Sequence, residues 1–331
     1  MALVKGRFAA AVVAAILAAA VLGAWLHRPY RGFTASEVFV EIPRGAGTLS
    51  IGRQLASAGV LRFGWQLALA RLANPHAPLQ AGEYRFAVPA SPLEIFHRLA
   101  RGDVYYRLFT IPEGANVFEI AELVDRLGIV SAARFLAAAA NPGLIRDLDP
   151  KAPTLEGYLF PSTYRIGRHA TGRELCRMMT AQFRREWRAL APSRGADLHN
   201  VVTLASLVEK ETANPEERPL IAGVFRNRLE KGMLLDCDPT TIYAALLDER
   251  YRGVIHRSDL ASHNAYNTYT HAGLPPGPIA NPGVASLEAA LDPAKTDYLY
   301  FVAKPDGGGH RFSRTIEEHN RRVREYRRGT R

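Results

Sequence analysis

A chain of 331 residues that is 47% apolar is long enough for two packed domains and an appendage, which excludes intrinsic disorder as its default state. The formal charge of +10 suits an anionic lipid surface, an acidic polymer or nucleic acid alike, and eight arginines between positions 311 and 331 carry much of it, so charge alone selects no partner. Cys176 and Cys237 are far apart and outside any Cys-x-x-Cys or Cys/His spacing, which excludes a structural zinc site and leaves a disulfide undecided.

Residues 8 to 26 form an unbroken apolar run, about 28 Å long at the helical rise and close to the thickness of a bilayer core. Lys5 and Arg7 precede it, so the spacing predicts an uncleaved, single-pass anchor with the N-terminus in the cytoplasm and the rest outside, although Arg28 and Arg31 oppose that orientation. A cleaved signal peptide is the next reading, and it wants a small-x-small site where Trp25-Leu26-His27 stands.

The alternation in Val38-Phe39-Val40-Glu41-Ile42 predicts a strand, followed by a turn at residues 43 to 47 and a helix over 51 to 58. Helices are expected over 65 to 72 and from Ser91 through Leu99, with a strand at 82 to 86 between them. This is a small α+β module. A further β segment at 105 to 111 leads through Pro112-Glu113-Gly114 to a helix carrying Ile120, Leu123, Val124 and Leu127 on one face. Beyond it lies a larger mixed α/β domain that ends in a strand at 298 to 302, a turn at 305 to 309, a return strand at Arg311-Phe312 and a basic helix from about Thr315. The domain division is therefore an anchor at 1–33, a small module at 34–107 and a larger domain at 108–331, in an α+β chain.

No Walker loop, Gly-x-Ser-x-Gly, His-Glu-x-x-His or dinucleotide glycine fingerprint is present, which removes phosphate-loop, serine-esterase and zincin chemistry. One helix stands out, with Asn200 as its expected cap and Val201, Leu204, Ala205 and Val208 as its apolar stripe, ending in Glu209-Lys210-Glu211-Thr212. On a helical wheel Lys210 points away from the stripe, while Glu209 and Glu211 flank it on either side. A carboxyl at the edge of an apolar face loses hydration and can stay protonated as a general acid, but the wheel does not choose between the two. Polar, aromatic and Pro/Gly-punctuated segments follow the pattern of cleft walls that hold sugars: residues 155 to 164 with Glu156, 238 to 243 with Asp238 and Thr240, Tyr266-Asn267-Thr268-Tyr269, Gly273 to Ile279, and Asn281-Pro282-Gly283.

The run Glu209-Lys210-Glu211-Thr212, with Phe225-Arg226-Asn227-Arg228-Leu229, Asp238-Pro239-Thr240, Tyr266-Asn267-Thr268-Tyr269, Gly-Leu-Pro-Pro-Gly-Pro-Ile, Tyr298 to Val302 and Gly309-His310-Arg311-Phe312, closely resembles the YceG-like endolytic murein transglycosylase family. The resemblance spans nearly the whole chain and implies a LysM-like peptidoglycan-binding module, a single inner-membrane anchor and a periplasmic catalytic domain. It implies that Glu211 is catalytic, and it makes Glu156, Asp238, Thr240, Tyr266, Asn267 and Tyr269 candidate substrate-binding residues. Asp236 stands where the family pattern has Gln, which removes any side-chain amide contact at that place.

The implied reaction needs no metal and no cofactor. The C6 hydroxyl of N-acetylmuramic acid displaces N-acetylglucosamine and leaves a 1,6-anhydro end, so one carboxyl can serve both proton transfers. Peptidoglycan strands, the inner membrane and wall synthases are the implied partners, and the implied role is to end the elongation of nascent strands. A muramidase-type hydrolase would give reducing ends, and a non-catalytic tethered scaffold would give no cleavage. Nucleic acid is not expected, because the positive charge would lie outside the membrane and the aromatics follow no RNA-binding motif.

Overall fold

The computed structural model describes residues 2–190 and 195–329, and the side chains of residues 2–11 and 18 lie outside that description. Helix α1 (Ala2–His27) contains the apolar run expected to cross a membrane, so part of that expectation falls outside the described side chains. Among the described residues no helix is long and apolar enough to cross a membrane. The chain divides into two compact units, residues 1–107 and 108–331.

In the first unit, α1 is followed by β1 (Val38–Ile42), α2 (Thr48–Ser57), α3 (Trp65–Arg71), β2 (Gly82–Phe86) and α4 (Pro92–Arg101). Strands β1 and β2 pair antiparallel with Val40 opposite Tyr84. The strand period buries Val40, Ile42, Tyr84 and Phe86 and leaves Glu41 and Arg85 exposed. The buried face packs in one core with Ile51 and Leu55 of α2, Leu67 of α3, and Ile95, Phe96 and Leu99 of α4. Ser91 and Glu94 form a reciprocal cap at the start of α4, and Gly102 closes it in the left-handed conformation.

The second unit runs β3 (Arg107–Thr110), α5 (Val117–Arg126), α6 (Ala132–Ala139), β4 (Thr163–Ile166), α7 (Gly172–Ala189), α8 (Leu198–Glu211), α9 (Arg218–Glu230), α10 (Asp238–Leu247), α11 (Arg257–Leu260), α12 (Val284–Leu291), β5 (Tyr300–Ala303), β6 (His310–Ser313) and α13 (Ile316–Gly329). Strand β3 pairs with β4, and β5 and β6 form an antiparallel hairpin with Ala303 opposite His310. With only paired strands in this unit, its core is built chiefly by helices.

Helix α8 lies at the centre of that core, against α9, α10 and α12. Every residue from Val202 to Val208 is buried, whereas Val201, expected on the apolar stripe, is only half-buried. The helix is therefore enclosed nearly all round rather than along one face. The buried Ser206 hydroxyl is satisfied inside: its Oγ donates to the Thr203 carbonyl at 2.7 Å and accepts from Ile279 N at 3.1 Å. The helix also starts earlier than the expected Asn200 cap. Asp197 caps it instead, accepting from Asn200 N.

Helices α2 and α3 approach closely where Gly52 faces Gly64, and a Cβ on Gly52 would lie 2.0 Å from the Gly64 carbonyl oxygen. Gly52→Ala should force the helices apart and lower the stability of the first unit by about 1–3 kcal/mol. Denaturant unfolding of the full chain, followed by the fluorescence of a tryptophan probe in this unit such as Trp65, checks this.

Candidate active site

Glu211 ends α8, where Thr212 turns the chain into extended backbone. Its side chain lies beside the loop that leads into α10, and Cys237 donates its Sγ–H to Glu211 Oε1 at 3.0 Å. Burial raises the Glu211 carboxyl above its ordinary range. The negative charge of Asp238 adds to this, while the thiol hydrogen bond, His310 and Arg228 oppose it without cancelling it. The result is a carboxyl biased toward its protonated form on the wall of two open clefts. One, about 790 Å³, is lined by Glu113, Gly114, Lys210 and Arg218 as well. The other, about 930 Å³, is lined by Arg228, Asp236, Asp238, Tyr269, Tyr300 and His310 among others.

Glu209, which the helical wheel could not separate from Glu211, has a different setting. Its Oε1 accepts from Arg218 Nη2 at 3.0 Å and its Oε2 accepts from Gly283 N at 2.9 Å. Both partners of the ion pair are enclosed, with side-chain exposures of 5% and 7%. A buried carboxylate held at both oxygens by a guanidinium and a backbone N–H is committed to structure. Lys210 points outward, and its Nζ donates to the Gly114 carbonyl at 3.2 Å.

The other residues singled out from the sequence separate into two groups. Asp238 and Tyr269 line the cleft with Glu211, and Tyr269 Oη donates to Asp238 Oδ1 at 2.6 Å. Thr240 and Asn267 are buried in the loop framework. Thr240 Oγ1 donates to the Cys237 carbonyl at 2.7 Å and lies 2.9 Å from Thr268 Oγ1, while Cys237 N donates to Thr268 Oγ1 at 3.1 Å. These bonds set the backbone that presents the thiol. Asn267 donates to the carbonyls of Leu260 and Ser262 and accepts from Thr241 Oγ1 and Tyr269 N, which shapes the turn that carries Tyr269. Tyr266 packs against Tyr243, with ring centroids 5.1 Å apart.

Glu156 lies in the interior rather than in either cleft. Its Oε2 accepts from Val117 N at 2.9 Å and its Oε1 from Asn281 Nδ2 at 2.8 Å. Asn281 in turn accepts from Leu159 N and donates to the Ala115 carbonyl, so the pair joins three segments of the unit.

Arg228, Asp236, Cys237, Glu217 and His310 were not picked out as site residues from the sequence. Arg228 is buried and donates to the carbonyls of Leu234, Leu235 and Leu299 and to Asp236 Oδ2 at 3.1 Å, so it holds the loop before α10 against the segment before β5. Asp236 adopts a left-handed backbone with φ 50° and lines the cleft. Cys176 and Cys237 are both free and buried. Among the described residues no cluster of His, Cys, Asp and Glu has the arrangement of a metal site.

The sequence matches the YceG-like family over residues 40–325. It is 32% identical over 323 residues to a protein of Bacillus subtilis (strain 168) named endolytic murein transglycosylase, covering 92% of this chain and 89% of that one. A protein of the same name from Streptococcus pneumoniae serotype 2 is 31% identical over 322 residues, covering 87% of this chain, which spans only 58% of that relative's length. A crystal structure of a yceG-like protein from Listeria monocytogenes superposes with a TM-score of 0.58 at 32% identity, covering 86% of this chain and 98% of that one.

Burial pushes the Glu156 carboxyl up to about 8. The folded protein then holds a proton that the unfolded chain releases near its ordinary carboxyl range. The stability from this site is fully present below about pH 4.5, declines as pH rises, and is lost above about 8. Glu156→Gln should therefore flatten the fall in Tm between pH 5 and 8, as measured by thermal melts across that range.

Proposed function

The chain belongs to the YceG-like family, and from that premise and the buried carboxyl of Glu211 we propose that it is an endolytic murein transglycosylase. It cuts peptidoglycan strands between N-acetylmuramic acid and N-acetylglucosamine and leaves 1,6-anhydro ends. The observation that carries the reading is a single carboxyl, desolvated and biased toward its acid form, on the wall of a cleft that holds other polar and aromatic groups. Glu211 passes its proton to the leaving oxygen as the bond to the muramic C1 breaks, and the C6 hydroxyl of the same sugar closes onto C1. The carboxylate so formed is one group able to take up the hydroxyl proton. Asp238 and Tyr269, on the same wall, are placed to bind sugar hydroxyls. Two clefts that share Glu211 suit cutting within a strand, since a polymer can extend to either side of the acid.

The same reading makes residues 8 to 26 an inner-membrane anchor, with the units beyond it in the periplasm. What supports it is the unbroken apolar run after Lys5 and Arg7. Residues 34–107 are read as a LysM-like peptidoglycan-binding module, supported by their strand-helix-helix-strand order and antiparallel pair. Wall synthases in the same membrane are the expected partners, and ending the growth of nascent strands is the expected role.

The 331-residue chain and its Glu211→Gln variant, incubated with purified glycan strands and followed by mass spectrometry, test the reaction. The wild type should give internal fragments with anhydro ends, and the variant should lose on the order of 10²-fold or more in rate while melting normally. Reducing ends from the wild type would mean a hydrolase.

Because Glu211 must be protonated to act, activity should fall as pH rises through its raised pKa. Cys237→Ala removes the hydrogen bond that favours the carboxylate and should move this alkaline limb to higher pH. Cys237→Ser, a stronger donor, should move it lower. Profiles of kcat against pH for the two variants decide the point, and a limb that moves the same way in both would sink it.

A further inference from the structure

Among the described residues Glu211 Oε1 already accepts from Cys237, while no hydrogen bond engages Oε2. The same cleft is lined by a second group of suitable chemistry, His310 at the start of β6. Its ring is fixed from two sides. Nδ1 lies 2.7 Å from Glu217 Oε2, and the Phe301 ring packs edge-on at 5.4 Å between centroids. Glu217 also accepts from the His310 backbone N at 2.7 Å through Oε1. Gly309 makes this approach possible: its φ is 104°, and a Cβ there would lie 2.1 Å from Glu217 Oε1.

Burial raises the Glu217 carboxyl, but the hydrogen bonds that it accepts from His310 oppose this and the net shift is downward, so Glu217 is an ionised acceptor. Nδ1 must then be the donor, which leaves the lone pair of neutral His310 on Nε2. Nε2 has no partner among the described residues.

We propose that His310, oriented by Glu217, is a second catalytic residue that accepts the proton of the attacking C6 hydroxyl. The inference rests on the transglycosylase reading and divides its two proton transfers between two groups. The C1–O4 bond breaks as the Glu211 proton passes to O4, O6 bonds to C1, and the O6 proton passes to Nε2. Solvent then reprotonates Glu211 and takes the proton from the imidazolium, so no co-reactant is consumed.

The test uses the full chain with His310→Ala, His310→Gln and Glu217→Gln, reading turnover, KM and product ends by mass spectrometry, with thermal melts for folding. His310→Ala should lose on the order of 10²-fold in kcat with KM within about threefold. It should also release a measurable share of reducing ends, because water competes once the internal attack slows, and added imidazole should restore part of the rate. Glu217→Gln should shift the product ends in the same direction with a smaller loss, and it decides the matter if the His310 variants do not fold. A folded His310→Ala enzyme that gives only anhydro ends at near wild-type turnover overturns the inference and leaves the parent reading standing. Wild-type protein that gives no anhydro ends overturns both.

Discussion

The hydrogen bond between the Cys237 thiol and the Glu211 carboxyl forms because α8 is enclosed along its length and stops where the core stops. With Val202 through Val208 all buried, the helix can neither rotate nor slide without exposing apolar surface or stranding the Ser206 hydroxyl. Its last three residues therefore leave the core in fixed directions. Glu209 turns to Arg218 and Gly283, Lys210 to the Gly114 carbonyl, and Glu211 to Cys237. The electrostatic character of the acid follows from packing, because burial is the largest contribution to its raised pKa.

The second requirement is that the wall facing Glu211 stay in place, and that wall joins the loop before α10 and the Tyr269 turn to the start of α10 and the β5–β6 hairpin. Thr240, Thr268 and Asn267 point inward and hold one turn to the next, while Arg228 gathers three carbonyls and Asp236 into one array. Such a framework gives the precision of secondary structure without a sheet, since each buried polar atom has a single geometry that satisfies it. Two exposed carboxylates, Asp236 and Asp238, are then carried at the cleft by this framework, of which Arg228 itself lines the cleft and Thr240, Thr268 and Asn267 do not.

Local patterns in the sequence are enough to find the elements of residues 34–107, but not β4, α10, α11 or α12. The alternation at 38 to 42 and the helix expected from Ser91 sit where the strand and helix form, because each depends on near neighbours in the chain. The helical wheel failed at α8 for a physical reason. Thr203 and Ser206 are buried along with the apolar residues, so one apolar stripe is expected where the helix is enclosed nearly all round. Choosing between Glu209 and Glu211 was beyond the wheel as well, because the deciding partners, Gly283 and Cys237, are 74 and 26 residues away. The motifs mixed two kinds of residue for the same reason. Thr240 and Asn267 share segments with Asp238 and Tyr269, yet they, like Glu156, serve the interior, and only the long-range contacts reveal which is which.

One stretch of backbone links the two halves of the site. Thr212 follows Glu211 directly, and its hydroxyl lies 3.4 Å from Glu217 Oε2, the oxygen that also holds the His310 ring. The short 3₁₀ turn at Pro215–Glu217 returns the chain toward the end of α8, so the acid and the carboxylate that orients the histidine are set by the same six-residue corner. A displacement of the end of α8 would therefore move both groups together and preserve their spacing across the cleft. This coupling explains why a histidine almost a hundred residues later in the chain can be held in register with Glu211: its ring answers to Glu217, and Glu217 answers to the helix that carries the acid.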